Sequence, residues 1–441
     1  MVDRILSMVA LWWFEGRRRA EGVTWPPGGV GRRDAAGEPP GTDSRRPPGA
    51  EDHLPARHSS ARAGVFVSAL LVLLVGCESP SDSGTPTEQG EPFSVVDALG
   101  GEEAAASYAR ADGPRVFHFP EDHGPHPDYR HEWWYVTGNV EDNDGRHFGF
   151  QITFFRFAVA PEPPAAPSAW ATRQLWMAHF AITDSAAGTF HHFERLGRGA
   201  LELAGARAGP FAVWLDDWRL EGVDGGFDRL RARLAEDGVA LDLELEALKP
   251  MVFQGEGGYS RKGPEPGNAS YYYSVPRLVA RGSLETPSGS HDVSGTAWID
   301  REWGSSTLGA GQVGWDWFSV QLDDGTELMF YHLRRADGTV DPRSKGGWVD
   351  GAGRHRTVGL EQVELEVLGH WTSPDGEATY PARWRLRFPD EGLELELAPT
   401  VADQELRGDF RYWEGALRGH GTRGGEPVEA VGYGELTGYH R

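Results

Sequence analysis

The stretch EWWYVTGNVEDNDGRHFGFQITFFR, Glu132–Arg156, decides what kind of fold this chain adopts. Its two arms are dense in aromatic and β-branched residues, and Asp144-Gly145 between them is a hairpin-turn signal. The second arm, His147–Phe157, therefore reads as a strand returning along the first. The same grammar continues through the chain from about Val116. ALDLELEAL (Ala240–Leu248), RWRLRF (Arg383–Phe388) and GLELELAP (Gly392–Pro399) alternate apolar and polar residues almost without fault. Each such strand has one face for a core and one for water. Helical periodicity is scarce. FDRLRARLAED (Phe227–Asp237) is its best instance, and it fits a strand and loop equally well. With so little helix, sheets must cover one another as a sandwich or close on themselves as a barrel.

The pattern occurs twice. WDWFSVQLDDGTELMFYHLR (Trp315–Arg334) also begins with closely spaced tryptophans, turns on Asp324-Gly325 and returns along a strand ending in arginine. SYYYSVPRLVARGSL (Ser270–Leu284) has an echo in RYWEGALRGHGT (Arg411–Thr422), and each is followed by a last Gly-aromatic strand. Two hairpin-rich units of similar order predict a duplicated β-barrel. A tryptophan on a first strand and an arginine on a later one commonly close a barrel floor by cation–π stacking, a structural role that accounts for most of the tryptophans.

Composition narrows the partners. The 441 residues carry a formal charge of −23, which leaves nothing to neutralise phosphates and excludes nucleic acid. Glycine (59) and tryptophan (17) are plentiful, while the chain holds one cysteine. That cysteine closes the run RAGVFVSALLVLLVGC, whose apolar segment is too short to span a bilayer but suits a signal peptide. Leu74-Val75-Gly76-Cys77 resembles a bacterial lipobox, with Cys77 as the lipidated first residue of the mature protein. The chain is thus expected to divide into an upstream segment outside the fold (1–60), a signal peptide (61–76), a flexible linker (77–112), and two barrels (113–305 and 306–441). Localisation would be the cell envelope, on the periplasmic face of the outer membrane, with acyl chains as the attachment.

Just before the deciding stretch, PEDHGPHPDYRHE packs Asp122, His123, His126, Asp128, His131 and Glu132 together. Such a set invites a metal reading, but no His-Glu-x-x-His is present and the Gly-Pro-His-Pro spacing suits a stiff loop. No metal site is assigned. The cluster reads as a loop leading into the first barrel, with His131 and Glu132 near a binding cavity. Gly255–Gly263 is glycine-rich without the phosphate-loop order and reads as a loop at a barrel mouth. No Gly-x-Ser-x-Gly elbow occurs.

FPEDHGPHPDYRHEWWYVTGNV, KGPEPGNASYYYSVPRL, GTAWIDREWGS, GWDWFSVQLDDGTELM and YWEGALRGHG together resemble the AttH-like family. This family is also known as hydroxyneurosporene synthase-like or carotenoid 1,2-hydratase-like. The resemblance spans nearly all of residues 116–441 and implies two lipocalin-like barrels, an all-β fold. One branch of that family adds water to a terminal double bond of acyclic carotenoids without a cofactor. Some secreted members are encoded beside ABC-type export permeases. Asp300, in GTAWIDREWG, matches the essential aspartate of the hydratases. Tyr271 and Tyr273 share a face of the preceding strand, and Trp298 precedes Asp300. The hydratases have a His and an aromatic residue in place of Tyr271 and Tyr273, and a Tyr in place of Trp298. The corresponding place in the second repeat, GYGELTGY, carries no Asp, which favours Asp300 as a functional residue rather than a scaffold feature.

Alkene hydration needs an acid, a stabilised cation and a water. A carboxyl in an apolar cavity stays protonated and can supply the acid. Asp300, Tyr271, Tyr273 and Trp298 are therefore the catalytic candidates, with His131, Glu132, Trp133, Trp315, Trp317 and Trp413 as ligand-binding candidates. Three readings follow, in this order. The first is a lipid-anchored carrier or export accessory for a long apolar or amphipathic molecule such as an isoprenoid, polyene or lipid. The second is a cofactor-free hydratase-like lyase with Asp300 as acid, and the third a metal-dependent hydrolase.

Overall fold

The structure is a computed structural model that describes residues 107–162, 168–306 and 308–440. Cys77, the signal segment and the upstream residues lie outside the described residues. Helix among the described residues amounts to three short 3-10 turns, and everything else of regular structure is strand.

The first sheet uses β1 (His131–Asp142), β2 (His147–Ala158), β3 (Gln174–Asp184), β4 (Thr189–Arg198), β5 (Ala204–Arg207), β6 (Ala212–Leu215), β7 (Trp218–Gly222), β8 (Arg229–Glu236), β9 (Val239–Ala247), β10 (Val252–Phe253), β11 (Tyr259–Arg261), β12 (Ala269–Thr286) and β13 (Gly289–Gly304). The second uses β14 (Gln312–Leu322), β15 (Glu327–Arg335), β16 (Lys345–Val349), β17 (His355–Gly359), β18 (Glu364–Thr372), β19 (Thr379–Phe388), β20 (Leu393–Pro399), β21 (Glu405–Arg407), β22 (Arg411–Arg423) and β23 (Glu426–Leu436). In each sheet the first strand pairs antiparallel with the last: β1 with β13, and β14 with β23. The Asp-Gly hairpin turns are present in both, with Gly145 at φ 78° and Gly325 at φ 83°, a backbone region that favours glycine. Each sheet curls into a lipocalin-like barrel. In the first, Arg195 of β4 lies 4.3 Å from the Trp218 ring centroid and 2.9 Å from Glu236, drawing one sheet edge back over the strands near the other. In the second, Arg356 of β17 pairs with Glu391 between β19 and β20.

Phe227–Asp237 contains strand β8, Arg229–Glu236. Leu230, Ala232 and Leu234 point into the barrel, while Arg231 lies outside and grips Asp242 of β9 through two bonds of 2.7 Å. The arginines that imitate a helical stripe are here the outer face of a strand.

Alternation on β1 and β13 sorts the remaining side chains. Trp134, Val136, Ile299 and Trp303 fill the first barrel, and Phe318, Val320, Trp384 and Trp413 the second. The intervening residues point outward, where Tyr135, Tyr272 and Trp298 meet Trp317, Met329, Tyr331 and Tyr433 in a third apolar cluster between the barrels. Polar bonds stitch its margin. Thr183 donates to Gln404 (2.6 Å), Asn139 to the Gly432 carbonyl (3.0 Å) and Gln321 to the Ala297 carbonyl (2.9 Å). Lys249 and Arg277 both reach Glu327, at 2.6 and 2.5 Å.

The barrels touch most tightly at Gly149, where an added Cβ would stand 2.4 Å from the Ala416 Cβ. Gly149→Ala is expected to lower stability by about 1–3 kcal/mol through overpacking. Ala416→Gly in the same chain should recover most of that loss. A double-mutant cycle of urea unfolding measures the coupling, and additive effects would show that the contact is not felt.

Candidate functional site

The loop before β1 forms a plug under the first barrel. His126 lies 3.0 Å from Asp122 and 3.1 Å from Glu132 through its two ring nitrogens, and stacks on Trp303 at 3.8 Å. His123 stacks on Phe227 at 3.9 Å and lies 2.7 Å from the Tyr273 hydroxyl. Burial and the nearby Arg301 push its imidazole down to about 4. Arg301 sits 3.8 Å from the Trp134 ring centroid, the cation–π floor foreseen from the sequence. Its guanidinium also donates to Glu132 (2.6 Å), which a second buried arginine, Arg156, holds from the other side. Burial opposes the charge of Glu132, but the two guanidinium groups outweigh it and keep the carboxyl well below the usual range. These carboxylates are committed to arginines and imidazoles. Among the described residues, no three His, Cys, Asp or Glu side chains are arranged to hold a metal ion.

The candidate cleft lies outside both barrels, between them. Its cavity volume is about 80 Å³, and it opens to solvent. The first barrel contributes Trp133, Tyr135, Phe155, Tyr272, Asp300 and Glu302, and the second contributes Trp315, Trp317, Tyr331, Leu333, Tyr412 and Glu435. Lys262 enters from the glycine-rich loop, 3.2 Å from Glu302 and 4.3 Å from the Tyr331 ring centroid. Burial alone would lower its ammonium pKa, but Glu302 and Tyr331 beside it outweigh that and raise it.

Asp300 is 3% exposed. Ser274 and Tyr272 donate to its two oxygens at 2.5 Å each, and the Trp298 indole donates at 2.7 Å. Trp317 of the second barrel in turn donates to the Tyr272 hydroxyl at 3.2 Å. Burial drives the Asp300 carboxyl up to about 7 despite those donors, with Glu302 adding to the rise. At neutral pH it is thus poised between acid and carboxylate, next to aromatic walls.

The candidates from sequence divide by strand parity. Trp133, Trp315 and Trp317 line the cleft with Asp300, and Trp298 stands beside it. His131 lies behind Trp133, its ring 5.7 Å away, kept neutral at about 3 by burial and by Arg130 and Arg156. Three expectations need correction. Tyr271 and Tyr273 point into the first barrel, because Ser274 is the residue opposite Asp300 and Tyr272 is opposite Glu302. Glu132 likewise faces inward, bonded to its arginines. Trp413 belongs to the core of the second barrel, with its indole donating to the Ala402 carbonyl at 2.9 Å. Sequence reasoning missed Tyr135, Tyr272, Lys262, Glu302 and Glu435. For Tyr272 the signal was available in the triple tyrosine, since one of any three consecutive strand residues must oppose its neighbours.

Fold and cleft together define a double-barrel protein with an acidic, aromatic groove between its halves. The AttH-like family profile matches residues 110–439, and the chain belongs to the AttH-like family. It is similar to a Nitrosomonas europaea protein assigned as AttH, at 39% identity over 75% of this chain and 99% of that one, with a TM-score of 0.65. It is also similar in fold to kievitone hydratase from Nectria haematococca, at 17% identity over 76% of this chain and 96% of that one, TM-score 0.56. No curated protein matches the chain in sequence.

Two stability predictions follow from the charges. Glu132→Gln leaves two guanidinium groups uncompensated and should cost about 3–5 kcal/mol at neutral pH, read from urea midpoints. Because its folded pKa is lowered, that stabilisation is full above the ordinary value of 4.5 and is lost as pH falls below it. Asp300 has the opposite sign. Its folded form keeps a proton that the unfolded chain releases, so stability falls as pH rises from 3.8 toward about 7. Asp300→Asn should therefore melt above the wild type at pH 8 and lose that advantage at pH 4, and a difference independent of pH would contradict the buried-acid assignment.

Proposed function

We propose that the protein is a hydratase-like lyase that adds water to a carbon–carbon double bond of an elongated apolar molecule, of the isoprenoid or polyene type, held between the barrels. The observation that carries this reading is Asp300, a carboxyl raised to about 7 in a cleft walled by aromatic rings. In its acid form it can give a proton to the alkene carbon at hand. The positive charge left on the neighbouring carbon meets the faces of Trp133, Trp317 and Tyr272, which attract cations. Water then adds to that carbon, a proton leaves it, and the alcohol is formed. No redox step is involved.

The likeness to kievitone hydratase supports a fold able to host such a cleft and, at 17% identity, nothing finer. The carrier reading shares the same groove and differs only in asking nothing of Asp300. Lipidation at Cys77 would place the cleft at the cell envelope, with an export permease as a neighbour, in either reading.

The test is incubation of the purified protein with a panel of acyclic isoprenoid alkenes in ¹⁸O-labelled water, followed by mass spectrometry. At least one member should gain one labelled water. Asp300→Asn should slow that gain by about 100-fold or more. The rate should fall as pH rises through about 7, since the protonated carboxyl is the active form. Ligand retention by both proteins without any labelled product would leave the carrier standing and remove the lyase.

A further inference from the structure

Asp300 has a counterpart in the second barrel, a glutamate. The outward pair Trp133 and Tyr135 on β1 is matched on β14 by Trp315 and Trp317, each pair followed by a core residue, Val136 or Phe318. Across the β1–β13 ladder Tyr135 faces Asp300, and across the β14–β23 ladder Trp317 faces Glu435. Glu435 therefore occupies in the second barrel the place of Asp300 in the first, and both line the same cleft. On the adjoining strand, Ser274 stands opposite Asp300, whereas Glu414 stands opposite Glu435.

We propose that Glu435 is the second acid–base group of this cleft, sharing one proton with Asp300 and acting as the base that takes the proton of the adding water. This rests on the lyase reading for its chemistry, while the coupling of the two carboxyls rests on their equivalent ladder positions and their common place in the cleft. The groups facing Glu435 are mostly acids. Glu414 is directly across the ladder, Asp300 and Glu302 approach from the first barrel, and the one cation among the described residues that line the cleft, Lys262, is paired with Glu302. Its direct hydrogen bond comes from the Trp315 indole, at 2.6 Å. Like charges directly opposite on a ladder repel, and of two buried carboxyls so placed one is held in its protonated form. Glu414, 1% exposed and without a cationic partner among the described residues, is pushed well above the carboxylate range by burial and by Glu435. It is the member that stays protonated, which leaves Glu435, raised to about 7 by burial, free to cycle.

The step balances. Asp300 gives its proton to one alkene carbon as the π bond breaks, and the water oxygen bonds to the other carbon. Glu435, entering as carboxylate, takes one water proton and becomes the acid. Return of that proton to Asp300 restores the starting state. The cleft opens to solvent, which gives both carboxyls a direct route for proton exchange.

Infrared carboxyl bands of the whole protein, titrated from pH 5 to 9, test the shared proton without any substrate. The wild type should lose protonated-carboxyl absorption around neutrality in two coupled steps. Glu435→Gln should leave a single step, displaced from either, and Glu435→Asp should restore two. An unchanged titration in Glu435→Gln overturns the proposal whether or not the protein is a lyase. With the isoprenoid panel, the wild-type pH profile should be bell-shaped. Glu435→Gln should lose its acid limb and about 100-fold in rate, with Glu435→Asp recovering part of both. Full rate with both limbs intact in Glu435→Gln also overturns the proposal. No turnover of the panel by the wild type removes the lyase reading, and the infrared titration then decides the pair by itself.

Discussion

The outer faces of β1, β12 and β13 carry Tyr135, Tyr272 and Trp298, and nothing within the first barrel can cover them. A strand alternates its side chains, so filling a barrel with Trp134, Val136, Tyr273 and Ile299 obliges the residues between to point away from it. The second barrel supplies the cover with Trp317, Tyr331 and Tyr433 from its own outward faces. Most of what distinguishes the molecule follows from that mutual covering. The contact is dry enough to raise carboxyl pKa values, yet incomplete, and the gap left in it is the cleft.

Burial has two opposite electrostatic outcomes here. Glu132 and Asp300 are both fully buried carboxyls on paired strands. Glu132 is met by two guanidinium groups and stays ionised, a fixed part of the barrel floor. Asp300 is met by a hydroxyl from Ser274, a phenol from Tyr272 and an indole from Trp298, neutral donors that reduce the cost of its charge without removing it. A carboxyl solvated by neutral groups can change its protonation state near neutrality, and one clamped by arginines stays ionised there. The distinction between scaffold and chemistry thus lies in the partners and not in the residue type.

The sequence made the barrels legible because alternation and Asp-Gly turns are local signals, readable at Ala240–Leu248 or Gly392–Pro399 without knowing any partner. It also exposed Asp300 and the tryptophans near positions 133 and 315. What it could not convey was register. Whether Tyr271 or Tyr272 shares a face with Asp300 depends on which residue of β12 stands opposite which residue of β13, a fact set by the whole ladder and the irregularity near Pro276. Trp413 illustrates the same limit: its neighbour Tyr412 lines the cleft, and one step along the strand reverses the outcome. Glu435 is hidden for another reason: the second repeat keeps a carboxyl at the place of Asp300, but on a different residue type.

The link between the barrels is short, from Gly304 at the end of β13 to Gln312 at the start of β14. During synthesis the first barrel is complete while its aromatic outer face is still bare, waiting for a cover that has not yet been translated. A short tether keeps the second barrel at high effective concentration beside that face once it emerges, and favours closure on the same chain over capture by a neighbouring one. The length of residues 305–311 therefore bears on how soon the nascent chain covers its aromatic face, a matter separate from anything the finished cleft performs.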